Sequence, residues 1–404
     1  MFYAYYEPER AAGMNIAKDL VEGFAENGYE VTVYVPMPSC GIDDSIRKEY
    51  IKKRDEFLYD GKVHIHRVRI FKEGSNPVGR AIRYLLLNFA FFCKGICTQT
   101  DVMFVDSTPP TQGVLAAAIK KIRKIPYVYN LQDIFPDSMV TAGFTTKGSL
   151  IWKIGRVVEN ITYRNAKHII TISDSMRSNA LEKGVAAEKI SVVSNWIDIK
   201  KITPVDKMRN TLYEEYNISR EKFTVLYAGN FGAAQGAEII LDVARILSSD
   251  HEIQFVVFGG GAYYQDFKAK AVGLDNLIVN DLLPIERVSE VYSLGDIALI
   301  TCKKGVGSNG MPSKTWSILA CNTPIIASFD TVSDLACVIE KAKAGVIVEP
   351  EDTDALVKAI LDEKENMRKE TDKEQTLRKY VEANADKQTC VKKYVDCVKM
   401  AALS

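Results

Sequence analysis

Apolar residues follow two alternating patterns along the 404-residue chain. Short runs of β-branched and aromatic residues are separated by longer stretches in which apolar residues recur every three or four positions. Ile16, Leu20 and Phe24 have helical spacing, and Gly28 follows where a helix needs a left-handed last residue. This alternation is typical of parallel β-sheets covered by helices on both faces. The predicted strands are 31–35, 63–70, 102–105, 127–130, 168–172, 190–193, 223–228, 253–258, 277–279, 297–301, 324–327 and 345–348.

The strands form two series, which predicts two domains. Residues 198–222 between them are polar and include Pro204, as expected for a connecting segment. We therefore expect an α/β protein with Rossmann-like domains at residues 1–200 and 201–375, facing each other across a ligand cleft. Residues 376–404 are predicted to form a helix that returns to the first domain.

A first strand needs about five residues, and residues 1–6 barely supply them, so the given start is expected to omit part of it.

Composition and charge add two constraints. The chain is 47% hydrophobic and 26% charged, ordinary values for a soluble globular protein. Its net charge is zero, but residues 1–200 hold 27 Lys and Arg against 22 Asp and Glu, so the first half is basic. A basic half suits an anionic surface or a phosphate-bearing partner. Residues 1–9 lack the basic and apolar regions of a signal peptide, which predicts a cytoplasmic protein.

No metal or disulfide framework is predicted. The eight cysteines include no Cys-x-x-Cys pair and no spacing suited to zinc, so we interpret them as reduced residues of an intracellular protein. Four histidines are present and make no catalytic triad. His64 and His66 alternate along a predicted strand, where a metal role stays open but a packed or solvated face is favoured.

Two glycine-rich turns follow neighbouring strands of the second series. Residues 229–236 follow the strand 223–228, and Gly259, Gly260 and Gly261 follow the strand 253–258. Glycines at such turns let the backbone approach a ligand and expose amide groups to it. A turn that binds nothing explains one such loop equally well. Two of them indicate the carboxyl edge of a sheet, where nucleotides bind.

A third turn adds positive charge. The strand 297–301 is followed by Lys303 and a loop to residue 310, and Met311-Pro312-Ser313-Lys314 then opens a helix. The free amides of that helix start and the Lys314 ammonium would attract a diphosphate. The chain has no P-loop motif, and its first turn lacks the dinucleotide fingerprint, so nicotinamide chemistry is disfavoured.

Taken together, these segments resemble the retaining glycosyltransferases of family 4, which have the GT-B fold. The resemblance extends over essentially the whole chain. The segments that carry it are 8–13, 190–198, 227–236 and 311–326. Residues 130–138, together with Pro312-Ser313-Lys314, are similar more narrowly to the amino-sugar transferases that build O-antigens, capsules and exopolysaccharides.

The resemblance implies transfer of a sugar, an N-acetylated amino sugar, from a UDP-sugar to a saccharide on a polyprenyl diphosphate. It implies front-face substitution with retention, no metal and no other cofactor. Lys314 is implied as the catalytic cation that stabilises the leaving diphosphate. The implied donor-binding residues are Gly229, Asn230, Phe231, Gly232, Gln235, Gly259, Gly260, Leu283, Pro284, Lys303, Asn309, Gly310, Met311, Pro312, Ser313 and Ser317.

The chain departs from the family pattern at the donor loops. Many members have Arg and Lys where this chain has Asn230 and Gln235, and their Glu-x7-Glu pair would fall at Asn309 and Ser317. Uncharged partners bind a phosphate or a ribose less strongly than ionic ones. The task of stabilising the leaving group therefore falls on Lys314, Lys303 and the helix starts.

The acceptor side is predicted in the first domain. Asp133 follows the strand 127–130 at its carboxyl edge, where a carboxylate could orient or deprotonate an acceptor hydroxyl. A capping or ion-pair role for Asp133 is equally compatible with the sequence. Asp137 lies in the same segment, where capping of the next turn is the favoured role, and Gly13 lies in the glycine turn that the family uses on its acceptor side.

Residues 78–94 form a basic, aromatic-rich helix that includes Arg80 and Arg83. Its apolar run is too short to span a bilayer, which takes about 20 residues. The helix could lie on an anionic membrane surface or be buried in the first domain. We expect the first arrangement, with the protein peripheral on the inner face of the plasma membrane. If the acceptor is lipid-linked, as the resemblance implies, this helix with Arg80 and Arg83 is the expected place for it to bind. We expect no nucleic-acid partner.

Two other functions stay open from the sequence. A UDP-sugar 2-epimerase on a similar fold would need several acid and base groups in its cleft, where this chain has few histidines. A catalytically inactive sugar-nucleotide-binding homologue is suggested by the missing Arg, Lys and Glu residues.

Overall fold

The computed structural model describes residues 1–9, 14–74, 76–141, 143–307, 311–369 and 376–403. The chain forms two compact units, one of residues 1–195 and 387–404 and the other of residues 196–386. Both are α/β, which confirms the predicted fold class. The predicted domain boundaries lay at residues 200 and 375.

Unit 1 contains the first series of strands. Its strands are β1 (Val31–Pro36), β2 (Asp55–Leu58), β3 (Val63–Val68), β4 (Met103–Asp106), β5 (Tyr127–Leu131), β6 (His168–Thr171) and β7 (Ile190–Val192). Its helices are α1 (Met14–Glu26), α2 (Asp44–Lys52), α3 (Pro77–Cys97), α4 (Thr111–Arg123), α5 (Asp137–Thr141), α6 (Leu150–Asn165) and α7 (Asp174–Glu182), together with α16 (Lys387–Leu403) from the end of the chain.

Residues 1–3 join the two halves of the unit 1 sheet through backbone hydrogen bonds. Phe2 forms parallel bridges to Tyr34 of β1 and to Val105 of β4, in the place predicted for the first strand. The strand order across the sheet is therefore β2-β3-β1, Phe2, and then β4-β5-β6-β7. The edge strand β2 was not predicted, and it pairs antiparallel with β3. Its residues are mostly exposed, so it lacks the apolar run that identified the other strands.

Unit 2 contains a six-stranded parallel sheet of order β10-β9-β8-β11-β12-β13. The strands are β8 (Phe223–Asn230), β9 (Ile253–Gly260), β10 (Leu277–Asp281), β11 (Ile297–Thr301), β12 (Ile325–Ser328) and β13 (Gly345–Val348). The helices are α8 (Leu212–Glu215), α9 (Ile239–Ile246), α10 (Tyr264–Lys270), α11 (Val288–Tyr292), α12 (Lys314–Ala320), α13 (Asp334–Ala342), α14 (Thr353–Lys369) and α15 (Thr376–Asn384).

Both faces of the unit 2 sheet are buried, as the continuous apolar strands require. On β8, Val225 and Tyr227 pack in one core, whereas Leu226 and Ala228 pack in the core on the opposite face. The order of strands reverses between β8 and β11. In open α/β sheets, ligands bind at the carboxyl ends of the strands beside such a reversal.

The C-terminal segment forms two helices, so the prediction of one helix over 376–404 is wrong. α15 packs on α12 within unit 2, where the rings of Tyr380 and Trp316 stack 6.5 Å apart. α15 ends at Asn384, and Asp386, just before α16, forms a parallel bridge to Ile197. Beyond this break, α16 belongs to unit 1 and packs on α1 and on strands β5 and β6.

Contact between α1 and α16 depends on a glycine. A Cβ atom on Gly23 would lie 2.1 Å from Cγ1 of Val391, well inside van der Waals contact. Because the branched Val391 side chain is buried, it cannot easily move away. The close approach of the two helices therefore requires glycine at position 23.

We expect Gly23→Ala to lower the free energy of unfolding of unit 1 by about 1–3 kcal/mol, the usual cost of overpacking. Urea titration followed by circular dichroism measures it. Gly79→Ala is the control, because its Cβ would come no nearer than 4.0 Å to another atom, and it should leave stability unchanged or raised. The double variant Gly23→Ala/Val391→Ala should lose less free energy of unfolding than the two single variants lose together. Simple additivity would show that the helices do not clash there.

Candidate functional site

The glycine turns of unit 2 lie side by side at the carboxyl edge of its sheet. Gly229 pairs with Gly259, and Asn230 pairs with Gly260, in the parallel register of β8 and β9. A Cβ on Gly259 would lie 2.5 Å from the Phe231 ring and 2.6 Å from the Tyr264 ring. Glycine at 259 therefore leaves room for these two aromatic rings to pack beneath the turn.

Side chains of the first loop hold its shape. The Gln235 Oε1 atom accepts hydrogen bonds from the Gly232 amide at 3.0 Å and from Asn230 Nδ2 at 3.3 Å. The amide of Lys303 donates to the carbonyl of Ala234 at 2.9 Å. The loop after β11 is thus attached to the loop after β8, and Lys303 at this attachment is exposed.

Lys314 lies against the same strand end. Its Nζ donates to the carbonyl of Ala228 at 3.3 Å and lies 4.1 Å from the centre of the Tyr227 ring. No carboxylate forms an ion pair with it among the residues that the structure describes. Loss of hydration without an opposite charge lowers the pKa of Lys314 to about 7. The site therefore contains an ammonium group that an anionic ligand would stabilise.

The helix carrying Lys314 begins later than predicted. α12 starts at Lys314 itself and has seven residues, and Pro312 lies in the turn before it. The carbonyl of Pro312 accepts hydrogen bonds from the amide and the hydroxyl of Thr315, at 3.0 Å and 2.7 Å. These bonds fix the turn that positions Lys314.

Other predicted donor residues have mixed placements. Phe231 is 2% exposed and its ring packs with Phe267, with centroids 4.6 Å apart, so its side chain belongs to the core and only its backbone is left to meet a donor. Leu283 and Met311 are partly buried against the other core of unit 2. Pro284 and Ser313 are exposed, and Ser317 is half-buried on α12. Asn309 and Gly310 lie outside the described residues.

Unit 1 has a cavity of about 300 Å³ at the carboxyl ends of β4 and β5. Asp133, the predicted acceptor-side carboxylate, lines it, and so does Asp106 at the end of β4. Other lining residues that offer hydrogen-bonding groups are Tyr3, Thr108, Asn130, Gln132 and Asn195. A polar group of sugar-like size would find donors and acceptors on several sides of this cavity.

A hydrogen-bond network orients several side chains that line the cavity. Buried Asn130 donates from Nδ2 to Asp106 Oδ1 at 2.8 Å, and its Oδ1 accepts from the Tyr394 hydroxyl at 2.9 Å. Gln132 Nε2 also donates to Asn130 Oδ1, at 3.0 Å. The C-terminal helix α16 thus supplies one of the groups that orient the cavity residues.

Asp106 is the ionisable group that sequence analysis missed. Loss of hydration raises the pKa of Asp106 to about 7. The hydrogen bonds from Asn130 and from backbone amides act in the opposite direction, but they are the smaller effect. Its neighbour Asp133 accepts from the Ser138 hydroxyl at 3.0 Å. The only sequence signal for Asp106 was its position at the end of a predicted strand, which it shares with many structural aspartates.

Two predicted acceptor residues are engaged elsewhere. The Asp137 carboxylate pairs with Lys183 at 2.6 Å and accepts from Asn179, which gives it a structural role in unit 1. Arg83 is fully buried and bonds to Glu73 and Ser39, so it cannot reach a membrane or an acceptor. Arg80 is half-exposed and pairs with Glu73 at 2.9 Å. Gly13 lies outside the described residues.

Comparison with known families decides the identity. Residues 15–201 match the family described as Glycosyltransferase Family 4, and residues 222–365 match the family described as Glycosyl transferases group 1. The chain is a glycosyltransferase, with a family 4 domain followed by a group 1 domain. The resemblance drawn from its sequence is confirmed, and the two matched regions correspond to the two series of strands.

Two relatives share part of the glycosyltransferase sequence. The colanic acid biosynthesis glycosyl transferase WcaI of Escherichia coli (strain K12) is 29% identical over 285 residues, which is 67% of each chain. The glycosyltransferase WbjE of Pseudomonas aeruginosa is 24% identical over 287 residues, covering 70% of this chain and 71% of that one.

Solved structures share its fold. Sucrose-phosphate synthase from Thermosynechococcus elongatus superposes with a TM-score of 0.71 at 16% identity, covering 98% of this chain and 95% of the other. Anabaena HepE, solved in complex with UDP, gives a TM-score of 0.69 at 14% identity over 99% of both chains. At this identity the likeness shows the GT-B fold alone.

Asp106 predicts a dependence of stability on pH. Because its pKa in the folded chain, about 7, lies above the ordinary value of 3.8, the folded chain holds this proton more tightly than the unfolded chain does. The stability that the group contributes is present at acidic pH and is lost as pH rises toward about 7. Asp106→Asn cannot ionise at this position. We therefore expect the melting temperature of Asp106→Asn minus that of wild type to increase as pH rises from about 4 to about 7.

Scanning calorimetry at several pH values measures this difference. Asp354→Asn, at an exposed position of α14, is the control for loss of one carboxylate. An Asp106→Asn curve parallel to that of wild type would show that Asp106 is hydrated like a surface carboxylate.

Proposed function

We propose that the enzyme transfers an N-acetylated amino sugar from a UDP-sugar to a saccharide carried on a polyprenyl diphosphate, with retention of configuration, during surface polysaccharide assembly. The observation that carries the proposal is the partly desolvated ammonium of Lys314 beside two glycine turns at the carboxyl edge of unit 2.

The donor diphosphate would bind at this edge. Lys314 supplies positive charge, and the exposed Lys303 of the neighbouring loop adds a second cation. In the transfer step, the bond between the anomeric carbon and the β-phosphate oxygen breaks, and UDP leaves with the electron pair. Charge on the leaving diphosphate grows in the transition state, so a preorganised cation that gains strength there lowers the barrier.

The acceptor saccharide would bind the cavity of unit 1. Its hydroxyl attacks the anomeric carbon on the face that the UDP group leaves, and its proton passes to an oxygen of the departing diphosphate. Asp106 and Asp133 line that cavity, and carboxylates there orient sugar hydroxyls by accepting their hydrogen bonds. Since the pKa of Asp106 lies near 7, it could also exchange a proton with a hydroxyl at neutral pH.

The class of acceptor rests on relatives. WcaI is named for colanic acid biosynthesis. A transferase that takes part in building a polysaccharide adds its sugar to a saccharide. This supports a saccharide as the acceptor of the present enzyme.

A layer of three helices in unit 1 suits a membrane-bound acceptor. α4 contacts both α3 and α6, so the three helices cover one face of the sheet together. Among the described residues, no helix is long and apolar enough to cross a bilayer. The outer surface nevertheless exposes ten large apolar side chains on α3 and α6, namely Val78, Ile82, Leu85, Leu86, Phe89, Leu150, Ile151, Ile154, Val157 and Ile161.

The charges of this layer favour an anionic surface. α3 and α4 contain no Asp or Glu, and the only one in α6, Glu159, is 4% exposed. The same helices also have exposed basic residues, namely Lys121, Arg123, Lys153 and Arg164, whereas Arg80 is paired with Glu73. Apolar side chains that enter the interface and cations that face lipid headgroups together give reversible binding. We propose that this layer, and not Arg83, places the enzyme on the inner face of the plasma membrane.

The experiment that tests the function combines the purified enzyme, candidate UDP-sugars and a synthetic polyprenyl diphosphate saccharide. The proposal is supported if UDP is released only when the acceptor is present and if the product retains the anomeric configuration of the donor. Activity should also be unchanged when a chelator is added. Isomerised sugar without acceptor would instead indicate an epimerase. UDP binding without turnover would indicate an inactive homologue, as the uncharged Asn230 and Gln235 would allow.

For Lys314, we expect Lys314→Ala to lower kcat roughly 100-fold, as loss of one transition-state stabiliser does in other enzymes, with a much smaller rise in KM. The reason is that the charge acts mainly on the developing diphosphate. Steady-state kinetics over donor concentration measures both. Lys358→Ala, on an exposed part of α14, is the matched control and should behave as wild type. A raised KM with unchanged kcat would restrict Lys314 to ground-state binding.

For the membrane surface, we expect wild type to co-sediment with anionic vesicles at low salt and less so at high salt, because screening weakens each charge. Leu85→Glu/Phe89→Glu and Ile154→Glu/Val157→Glu should each reduce binding. Val272→Glu, at an 83% exposed position of unit 2, is the control. If the wild-type protein does not co-sediment with the vesicles, or if both double variants co-sediment as much as wild type, the layer contacts something other than lipid.

A further inference from the structure

A histidine and aspartate cluster lies on the edge hairpin of unit 1. His64 and His66 alternate along β3, so their side chains share one face of the sheet. Asp55 of β2 lies directly opposite His66 in the antiparallel register. Two of the four histidines of the chain are thus brought to a carboxylate from a strand that the apolar pattern did not reveal.

The donor atoms of the three side chains converge. Oδ1 of Asp55 lies 2.5 Å from Nδ1 of His66 and 3.1 Å from Nε2 of His64. Within the described chain, these are the three residues whose potential ligand atoms all lie within 4.8 Å of one another. Tetrahedral zinc with bonds of about 2.0–2.2 Å separates its ligand atoms by about 3.4 Å. A small rotation of the half-exposed Asp55 side chain would open that space.

Both imidazole rings are held by aromatic neighbours. The Phe57 ring stacks on His64 with centroids 4.5 Å apart and planes 13° apart. The Tyr34 ring meets His66 edge-on at 5.7 Å, and its hydroxyl bonds to Thr98 Oγ1 at 2.7 Å. Ligands that are already oriented lose little freedom when an ion binds.

One side of the cluster is open to water. The side chains of His64 and Asp55 are 36% and 44% exposed, whereas that of His66 is 14% exposed. Three protein ligands with an open position can accept a water molecule as the fourth. The exposed side also gives an ion a path of entry.

We propose that Asp55, His64 and His66 bind a divalent transition-metal ion, with zinc as the best match. Two imidazole nitrogens and one carboxylate oxygen suit zinc, whereas magnesium and calcium prefer oxygen ligands throughout. The ion would connect β2, whose Phe57 and Leu58 side chains are 66% and 41% exposed, to β3. Bound there, the ion would tie an edge strand that buries little apolar surface to the rest of the sheet.

The experiment titrates zinc into chelator-treated full-length enzyme by calorimetry. Cys93→Ser/Cys97→Ser is the background, because both thiols are exposed and could take up the metal. We expect one ion per chain, with affinity at least about tenfold weaker in His64→Gln and in His66→Gln. His251→Gln, at an exposed position in unit 2, is the matched control and should bind as the background does.

Two further readouts separate binding from folding. Cobalt should give a visible spectrum of nitrogen and oxygen ligation that disappears in His64→Gln, whose exposed side chain can change without unfolding the hairpin. Zinc should also slow hydrogen exchange of the β2 and β3 amides. The proposal is overturned if the background protein binds no zinc, or if the double variant His64→Gln/His66→Gln binds it with unchanged affinity.

Discussion

Both candidate sites depend on the cost of removing an ionisable group from water at the carboxyl edge of a sheet. Lys314 in unit 2 contacts the carbonyl of Ala228 and the ring of Tyr227, and it has no ion pair within the described chain. Asp106 in unit 1 is held by Asn130 in a similar position. In both groups, desolvation moves the pKa to about 7, from opposite directions. Each site thus disfavours its own charged form until a ligand compensates for it, and such perturbed groups are typical of functional sites.

The surrounding structure fixes these groups in place. Lys314 follows a turn closed by Thr315 and Pro312, next to the glycine turn after β8, which a hydrogen bond from Lys303 to Ala234 joins to the loop after β11. Asn130 is oriented by Tyr394 of α16, so the end of the chain supports the cavity of unit 1. Helix α16 in turn reaches its position because α1 has glycine where it crosses.

The sequence predicted the features that local patterns encode. Alternating apolar runs gave the strands, and glycines at strand ends gave the loops around Gly229 and Gly259 that the structure brings together. The edge strand β2 was missed because its residues are exposed and lack periodicity. The break at Asp386 was missed because helical spacing continues on both sides of it, and the two helices separate only because they pack on different units.

Contacts between distant residues could not be predicted from the sequence. Arg83 was expected at a surface, but Glu73, Ser39 and the Phe71 carbonyl satisfy its guanidinium and bury it. The apolar stripe of α6 was overlooked because exposure depends on which face the sheet covers. Asp106 and the cluster of Asp55 with His64 and His66 likewise follow from strand register and burial, which only the folded chain defines.

The most direct measurement of the central claim is the proton uptake that accompanies UDP binding. Calorimetry of wild type and Lys314→Ala, in buffers of different ionisation enthalpy and about one pH unit above the pKa of Lys314, reports the number of protons taken up. A bound diphosphate favours the charged ammonium and raises its pKa, so wild type should take up a large fraction of a proton that Lys314→Ala does not. Equal uptake by the two proteins, or none by wild type, would contradict the placement of the donor diphosphate at Lys314.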